Sequence, residues 1–568
     1  MSAFQQKLGW QPLPSIARLP AAGTTKALLM APYLALTAVF FVLPLALVVT
    51  RSLTLDSPAP NGGGITLQNY IEVLSSSVLR SVVARTFAVS AYTTVACFTL
   101  GFPTAYLISK LSRTPATILT TLIFLPFWVS VLVRLFSLTI ILGRDGLVNS
   151  VLIAMGAGRL ELLFNTTATV IGMTNYLLPF MIIILYSGMI RVDPAILLAA
   201  RATGATPGQA FVQVFLPQIK PVVASACTLV FVLSLGFFLT PAVLGGASGL
   251  TVALYIQQQI SVFRWGVASA IGVLLLVISL LGYLIVIRLA GLSQLIRPSS
   301  SGTKGTSGTE KLKFSATVTL LWCVAAASIT FLLLPLIVTI LTSFGASRII
   351  HFPPERWTFK WYQDIFHDPD WIHAIGRSLA VGLLTAILST LVALGLARAV
   401  SGFRSRFLRA VMQTAVYAPL VVPIILLAIG MFDVETRLGL LDSICGLVPL
   451  HMVIAIPLAF AVLSSALDDF DPDLEAAARA LGSSRTRAFW SVTIPNIKGS
   501  LLGSLIISFV TSWDEAVIAL FQTSFNKTLP VRIFSYLQSG VEPVVPALAT
   551  LLIALVVLGM AIRVQQVR

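Results

Sequence analysis

Twelve runs of mostly apolar residues divide this chain, each near or above the roughly 20 residues that carry a helix across a bilayer core. In lipid a continuous run of that kind must pair its backbone groups internally, so the expected elements are helices. The runs fall near 28–50, 85–109, 117–142, 166–190, 221–243 and 266–288, then 314–343, 378–400, 408–432, 444–466, 499–521 and 542–564. Only 10% of the 568 residues are charged, against roughly 25% in soluble domains. The chain therefore reads as an all-α polytopic membrane protein.

A repeat adds a second constraint. The stretch Asp193 to Pro217 reads DPAILLAARATGATPGQAFVQVFLP, and Asp471 to Pro495 reads DPDLEAAARALGSSRTRAFWSVTIP. A shift of 278 positions places Asp193, Pro194, Ala199, Ala200, Arg201, Ala202, Gly204, Phe211, Val214, Pro217 and Lys220 on Asp471, Pro472, Ala477, Ala478, Arg479, Ala480, Gly482, Phe489, Val492, Pro495 and Lys498. Such a repeat makes each copy part of one half of a pseudo-symmetric whole. Asp-Pro suits a helix start, with Asp as N-cap and Pro in the first turn. The glycine allows a sharp turn. Each copy reads as a short helical elbow at a membrane surface: helix, glycine break, second helix, then a proline opening a new element.

A shorter pair, TLQNY at 66–70 and TFKWY at 358–362, follows the first run of each half at an offset of 292. Intervening loops absorb the difference in length. The expected division is an N-terminal segment 1–27, a first six-helix half 28–290, a linker 291–313 and a second six-helix half 314–568, related by a pseudo-twofold axis. Arg297 to Phe314 reads RPSSSGTKGTSGTEKLKF, a flexible-linker composition. Despite its glycines and Lys304 it lacks the spacing GxxxxGK[ST] and a preceding strand, so a phosphate loop is not expected. No ATP-binding motif stands elsewhere; an ATP-driven process would need its engine on another chain.

The net charge of +16 is scattered through loops between runs, which argues for topology rather than nucleic acid as its role. Lys7, Arg18, Lys26, Lys110, Arg113, Arg191, Arg201, Lys220, Arg398 to Arg409, Arg563 and Arg568 fall on one side. Arg51, Arg144, Arg348 and Lys360, mixed with acids, fall on the other. Both termini and both elbows are thus expected to be cytoplasmic. Met1 to Lys26 is polar and Pro-rich with no evident cleavable signal. Cys97, Cys227, Cys323 and Cys445 lack metal-ligand spacing and read as small apolar side chains. His367 and His373 in HDPDWIH read as an aqueous loop rather than a metal clip, and no metal site is expected.

The pattern D-P-x(4,5)-A-A-R-A-x-G, with proline thirteen residues after the glycine, resembles the cytoplasmic EAA loop of ATP-binding-cassette importer permeases. The resemblance implies a type I importer permease fold and a coupling helix from each half seated in a groove of an ATPase subunit. It also implies two ATPase subunits carrying ATP and Mg, a periplasmic solute-binding protein, a bacterial inner membrane and no catalysis on this chain. The first half resembles the spermidine/putrescine permease family in FLPFWVSVLVRLFSL at 124–138 and NYLLPFMIIILYSGM at 175–189. The second half resembles the partner permease in SWDEAVIALF at 512–521 and TLPVRIFSYLQSGVEPVVPALATLL at 528–552, so the chain looks like a fusion of the two. One departure stands out. The family's glutamate is replaced by Leu198 in the first copy and Ala476 in the second, with Glu475 one position early.

Charges inside a membrane mark pathways or ion-paired structure. Arg134, in the third run, either partners a helix end or carboxylate or lines the path. Asp514 and Glu515, in the eleventh, would point about 100° apart on a helix, so at least one is expected to face a hydrated cavity and attract a cationic solute, with Trp513 offering a cation–π face. Trp128, Asn175, Tyr176 and Tyr417, beside prolines, are further candidates for the cavity wall, although aromatics in a span also serve packing and interface anchoring. The prolines free backbone carbonyls that need an internal partner, making these spans plausible moving parts. Polyamine import is the expected function. The alternatives are ferric iron, thiamine, an aminophosphonate or an opine-like solute in the same permease class, or an ion-coupled secondary transporter, which would need neither ATPase nor elbow.

Overall fold

The computed structural model describes residues 23–55, 65–290, 316–347, 352–403, 405–539 and 543–554. Lys7, Arg18, most of the expected N-terminal segment, the linker with Lys304, Arg348, Arg563 and Arg568 lie outside the described residues. All twelve apolar runs carry helix, the twelfth being described only over Val544–Ala554.

The first half comprises α1 (Thr25–Ser52), α2 (Ser77–Lys110), α3 (Arg113–Phe124), α4 (Val131–Leu142), α5 (Thr166–Met189), the elbow helix α6 (Pro194–Ala202), α7 (Leu216–Leu235), α8 (Leu239–Leu244) and α9 (Trp265–Ala290). The second half repeats the order with α10 (Ala316–Thr342), α11 (Pro369–Ser401), α12 (Arg406–Tyr417), α13 (Ile424–Leu438), α14 (Ile444–Asp469), elbow helix α15 (Pro472–Ala480), α16 (Lys498–Asp514), α17 (Val517–Gln522), α18 (Leu529–Ser539) and α19 (Val544–Ala554). The fold is all-α and polytopic, two fused halves that repeat one order of helices.

Several spans expected to be continuous are broken. The third span of each half bends sharply, by 95° between Arg113–Trp128 and Val131–Ala154, and by 81° between Arg406–Leu420 and Ile424–Leu438. Proline supplies the cause, since Pro126 and Pro419 withhold a backbone N–H and sit in the 3-10 turns at these corners. The fifth spans also break, α7 giving way to α8 after Leu235 and α16 to α17 after Asp514. Apolar content runs on through the third-span corners and the break after α7, so hydropathy alone does not register those, whereas the break after α16 falls at Asp514 and Glu515.

The first span of each half packs on the other half. α1 lies against α11, and Lys26 Nζ donates to the Gly402 carbonyl at 2.6 Å. Arg51, at its other end, pairs with Asp433 of α13. α10 in turn lies against α2 and α4, where Thr104 donates to the Ser328 hydroxyl at 3.1 Å and the Ser137 and Thr339 hydroxyls bond each other. Small hydroxyl residues allow such close helix contact in lipid. The largest apolar core spans both halves, gathering Leu132 and Phe136 of α4 with Leu426 and Leu427 of α13. Exchange of first spans and a shared core place the third and fifth spans of the two halves face to face.

Candidate functional site

Two regions carry the polar residues singled out by sequence. In the elbows, Asp193 accepts the Ala195 N–H at 2.9 Å and Asp471 that of Asp473 at 3.0 Å, as N-caps do. Gly204 and Gly482 close the helices at φ +97° and +93°. A Cβ on either would meet nothing within 4 Å, so backbone conformation and not crowding demands glycine. Thr206 and Ser484 cap the next short helices, and each chain then enters its span through a π turn, Phe211–Phe215 or Phe489–Thr493. Pro217 and Pro495 lie in the first turns beyond. α6 and α15 bury none of their residues fully. Ala199, Arg201, Ala477 and Arg479 are exposed, Ala200 and Ala478 half-buried.

The displaced glutamate has a clear role. Both Glu475 oxygens accept from Arg398 of α11, at 2.7 and 3.0 Å, and one also accepts from Thr493 at 3.1 Å. The Arg398 guanidinium lies 4.2 Å from the centre of the Phe489 ring. In the first half Leu197 stands at the place of Glu475 and Tyr106 at that of Arg398. Tyr106 meets Phe211 and Phe215 edge-on at 5.3 Å, and Leu197 packs in the same apolar cluster. Leu198, where the family's glutamate would stand, is 59% exposed.

The second region is the centre, where the broken spans face each other. Helix α16 ends at Asp514, and Glu515 is extended, so the 100° expected between them on one helix does not apply. The carboxylate of Glu515, itself buried, accepts the N–H groups of Val517, Ile518 and Ala519 at 2.9 to 3.2 Å, satisfying the start of α17. Asp514, half-buried, reaches the other half and accepts the Val131 N–H at 2.8 Å, at the start of α4. Arg134 lies one turn further along α4, 2% exposed. Its guanidinium is 5.2 Å from the centre of the Tyr176 ring, and Asp514 is bonded to the N–H of Val131 one turn before it on the same helix. Tyr176, half-buried, sits 4.9 Å from Phe237 in the break between α7 and α8.

Arg134, Tyr176 and Asp514 thus converge, and the other candidates scatter. Trp513 stacks on Phe509 at 5.5 Å, half-buried. Trp128 is half-buried in the corner after α3. Asn175 is buried, and its amide donates at 2.8 Å to the Phe331 carbonyl, the group that Pro335 leaves without an N–H one turn on. Tyr417 is buried against Phe460 in a core of the second half that Tyr33 of α1 also enters.

Sequence reasoning passed over His451. It is buried in α14, with Nδ1 2.7 Å from the Ser512 hydroxyl and Nε2 3.6 Å from Glu515. A polar residue in an otherwise apolar run, VPLHMVIAIP, was the available signal. Among the described residues no group of three or more His, Cys, Asp or Glu could hold a metal ion.

Comparison with known proteins places this geometry. Residues 98–294 and 389–567 each match the family described as the binding-protein-dependent transport system inner membrane component. The spermidine/putrescine transport system permease protein PotB of Haemophilus influenzae is 35% identical over 240 residues, 41% of this chain and 84% of that protein. PotC of Escherichia coli K12 is 28% identical over 228 residues, 40% of this chain and 85% of that protein. A bacterial ABC transporter importing alginate covers 47% of this chain at 20% identity, with a TM-score of 0.38. With the family's domain present twice and PotB and PotC each matching one half, the chain belongs to the binding-protein-dependent inner-membrane permeases, as two permease halves of an ATP-driven importer fused in one polypeptide.

Proposed function

We propose that this permease imports polyamines, putrescine or spermidine, or a related small cation. Asp514 carries the reading: a half-buried carboxylate at the break of a span, facing the opposite half, with Trp513 beside it. A carboxylate there offers an ammonium both charge and hydrogen-bond acceptors. The names of the PotB and PotC relatives support the same cargo. Trp128, Asn175, Tyr176 and Tyr417 belong to the walls and hinges of the path in this reading, and Glu515 to its framework. The chain itself performs no covalent chemistry.

The two halves, 28–290 and 314–568, work as rocking units. Two ATPase subunits, holding ATP and Mg, take α6 and α15 as coupling helices, with both termini on the same cytoplasmic side. ATP draws the elbows together, the cavity opens outward to a periplasmic binding protein, and hydrolysis resets it. Arg134 favours one second reading, a zwitterionic solute such as an aminophosphonate or opine whose anionic group it would meet. Uptake into proteoliposomes holding this chain, its ATPase and its binding protein tests both. Saturable putrescine or spermidine uptake, lost in Asp514→Asn while the complex stays assembled, is expected; uptake of a zwitterion or anion in place of polyamines overturns the cargo.

A further inference from the structure

The centre of the molecule holds a cation that its own half does not satisfy. Among the described residues, Nε and Nη1 of Arg134 have no hydrogen-bond partner. A buried guanidinium without full pairing is unfavourable. The Tyr176 face lies 5.2 Å from it, and Asp514, which belongs to the other half, makes no direct ion pair with it but is bonded to the first turn of Arg134's own helix. The geometry points to Arg134 as a resident counter-cation for Asp514, which with the Val131 N–H holds the carboxylate until a solute ammonium takes their place. This rests on the cationic-solute reading above and adds to it a positioning residue that sets when the halves part.

Parting the halves carries Asp514, on α16, away from Val131 and Arg134, on α4. In a low-dielectric interior a carboxylate and a guanidinium drawn apart both lose stabilisation. A solute ammonium at Asp514 restores the carboxylate's share, and the Tyr176 face stays with Arg134. Opening is thus disfavoured without a cation and permitted with one. Across the pseudo-twofold axis the matching contact has no such condition. There Gly236 stands at the position of Asp514, and a Cβ on it would lie 3.2 Å from the Pro423 ring. One half alone therefore reads the solute's charge.

The test is ATP hydrolysis by the complete transporter in proteoliposomes, with and without putrescine-loaded binding protein. Arg134→Met should raise the solute-free rate about tenfold, equivalent to about 1.4 kcal/mol, and shrink the stimulation by putrescine. Val131→Pro removes the N–H, at the first helical position where proline is tolerated, with an apolar ring in place of the buried valine side chain, and should raise the solute-free rate by about threefold. If both variants assemble and hydrolyse ATP at the wild-type solute-free rate while putrescine is still imported, the counter-cation role is overturned and the cargo reading survives. If Arg134→Met does not assemble, Val131→Pro decides alone, an unchanged rate overturning the inference. If the wild type responds to a zwitterion and not to putrescine, the cargo reading fails. Loss of zwitterion stimulation in Arg134→Met would then make Arg134 a ligand and end the counter-cation role as well.

Discussion

Tyr106 in the first half and Arg398 in the second occupy one position of the repeat, 292 residues apart, near the end of α2 and of α11. Each holds its elbow through the aromatic ring that opens the π turn, Phe211 or Phe489. Tyr106 does so by edge contact, Arg398 by its charge and by the Glu475 ion pair. The caps, the left-handed glycines and the π turns are the same in both copies because each solves a local backbone problem that few residue types solve. The anchor has only to hold, so a ring and an ion pair serve equally. The centre diverges the same way, with Gly236 on Pro423 in one contact and Asp514 on Val131 in the other. Duplicated backbone and divergent side-chain chemistry give two halves built alike that present different groups at matching contacts.

The anchors give the largest expected contrast. In a double-mutant cycle, Arg398→Ala with Glu475→Ala should return a coupling of about 2 kcal/mol, reduced from a fully buried pair by the partial exposure of Arg398. Tyr106→Ala with Phe211→Ala should return about 1 kcal/mol, the range of aromatic pairs. Hydrogen exchange in α6 and α15 would report both, and equal couplings would erase the distinction between the elbows.

Asn175 sharpens the comparison of the two first spans. Pro44 in α1 and Pro335 in α10 each leave a carbonyl one turn back without its donor. α1 accommodates this with a π turn at Ala38–Val42, and α10 with the Asn175 amide. Asn175→Leu should destabilise by about 1.5 kcal/mol through an unsatisfied buried carbonyl. Adding Pro335→Ala, which restores the N–H, should recover most of that loss in thermal unfolding; absence of rescue would mean that Asn175 acts elsewhere, such as on the solute. At the elbow glycines the expectation is symmetry. Gly204→Ala and Gly482→Ala should each cost about 1 kcal/mol, since both need φ near +95° and neither Cβ meets a neighbour. Unequal losses would show that one elbow tolerates a relaxed turn.

Much of this architecture was legible in the sequence. Apolar run length located all twelve helical stretches, and the 278-residue offset located both elbows, because hydropathy and local backbone chemistry are written in consecutive residues. The breaks were not legible. Val129 and Ser130 are as apolar or small as their neighbours, and neither the prolines at the corners nor the Asp514–Glu515 pair at the later break says by itself that the chain turns there. Asp514 and Glu515 were singled out as a pair, yet their separate contacts depend on where α16 stops, which is a tertiary outcome. His451 carried a signal that charge-based reading ignored, and Glu475 needed Arg398, 77 residues away, to explain its shift. The repeat also extends further than identity reveals. Phe164 and Asp442, again 278 apart, share a left-handed turn at φ +59° and +58° that no common residue type announces.

That turn yields the smallest and most local contrast. Asp tolerates the left-handed region through local hydrogen bonding, whereas a bulky aromatic pays about 1 kcal/mol there. Phe164→Asn should therefore stabilise the first half, by about 0.5 kcal/mol once lost ring packing is set against relieved strain. Asp442 does further work, because its carboxylate accepts the N–H groups of Ser524, Phe525 and Asn526. Burial acts to raise its pKa, and those three donors with the Arg377 cation more than offset it, holding the carboxyl below the usual range. A depressed pKa in the folded state means a contribution present above the unfolded value, about pH 4, and lost as pH falls through the folded one. Asp442→Asn should cost about 0.5 kcal/mol at neutral pH, given the exposure of the site. The difference from wild type should fade below about pH 4, while the gain from Phe164→Asn, which involves no titrating group, should not change with pH. Thermal unfolding of the three proteins across that range checks the signs, and a pH-independent Asp442→Asn loss would place the carboxylate's effect in shape and not in charge.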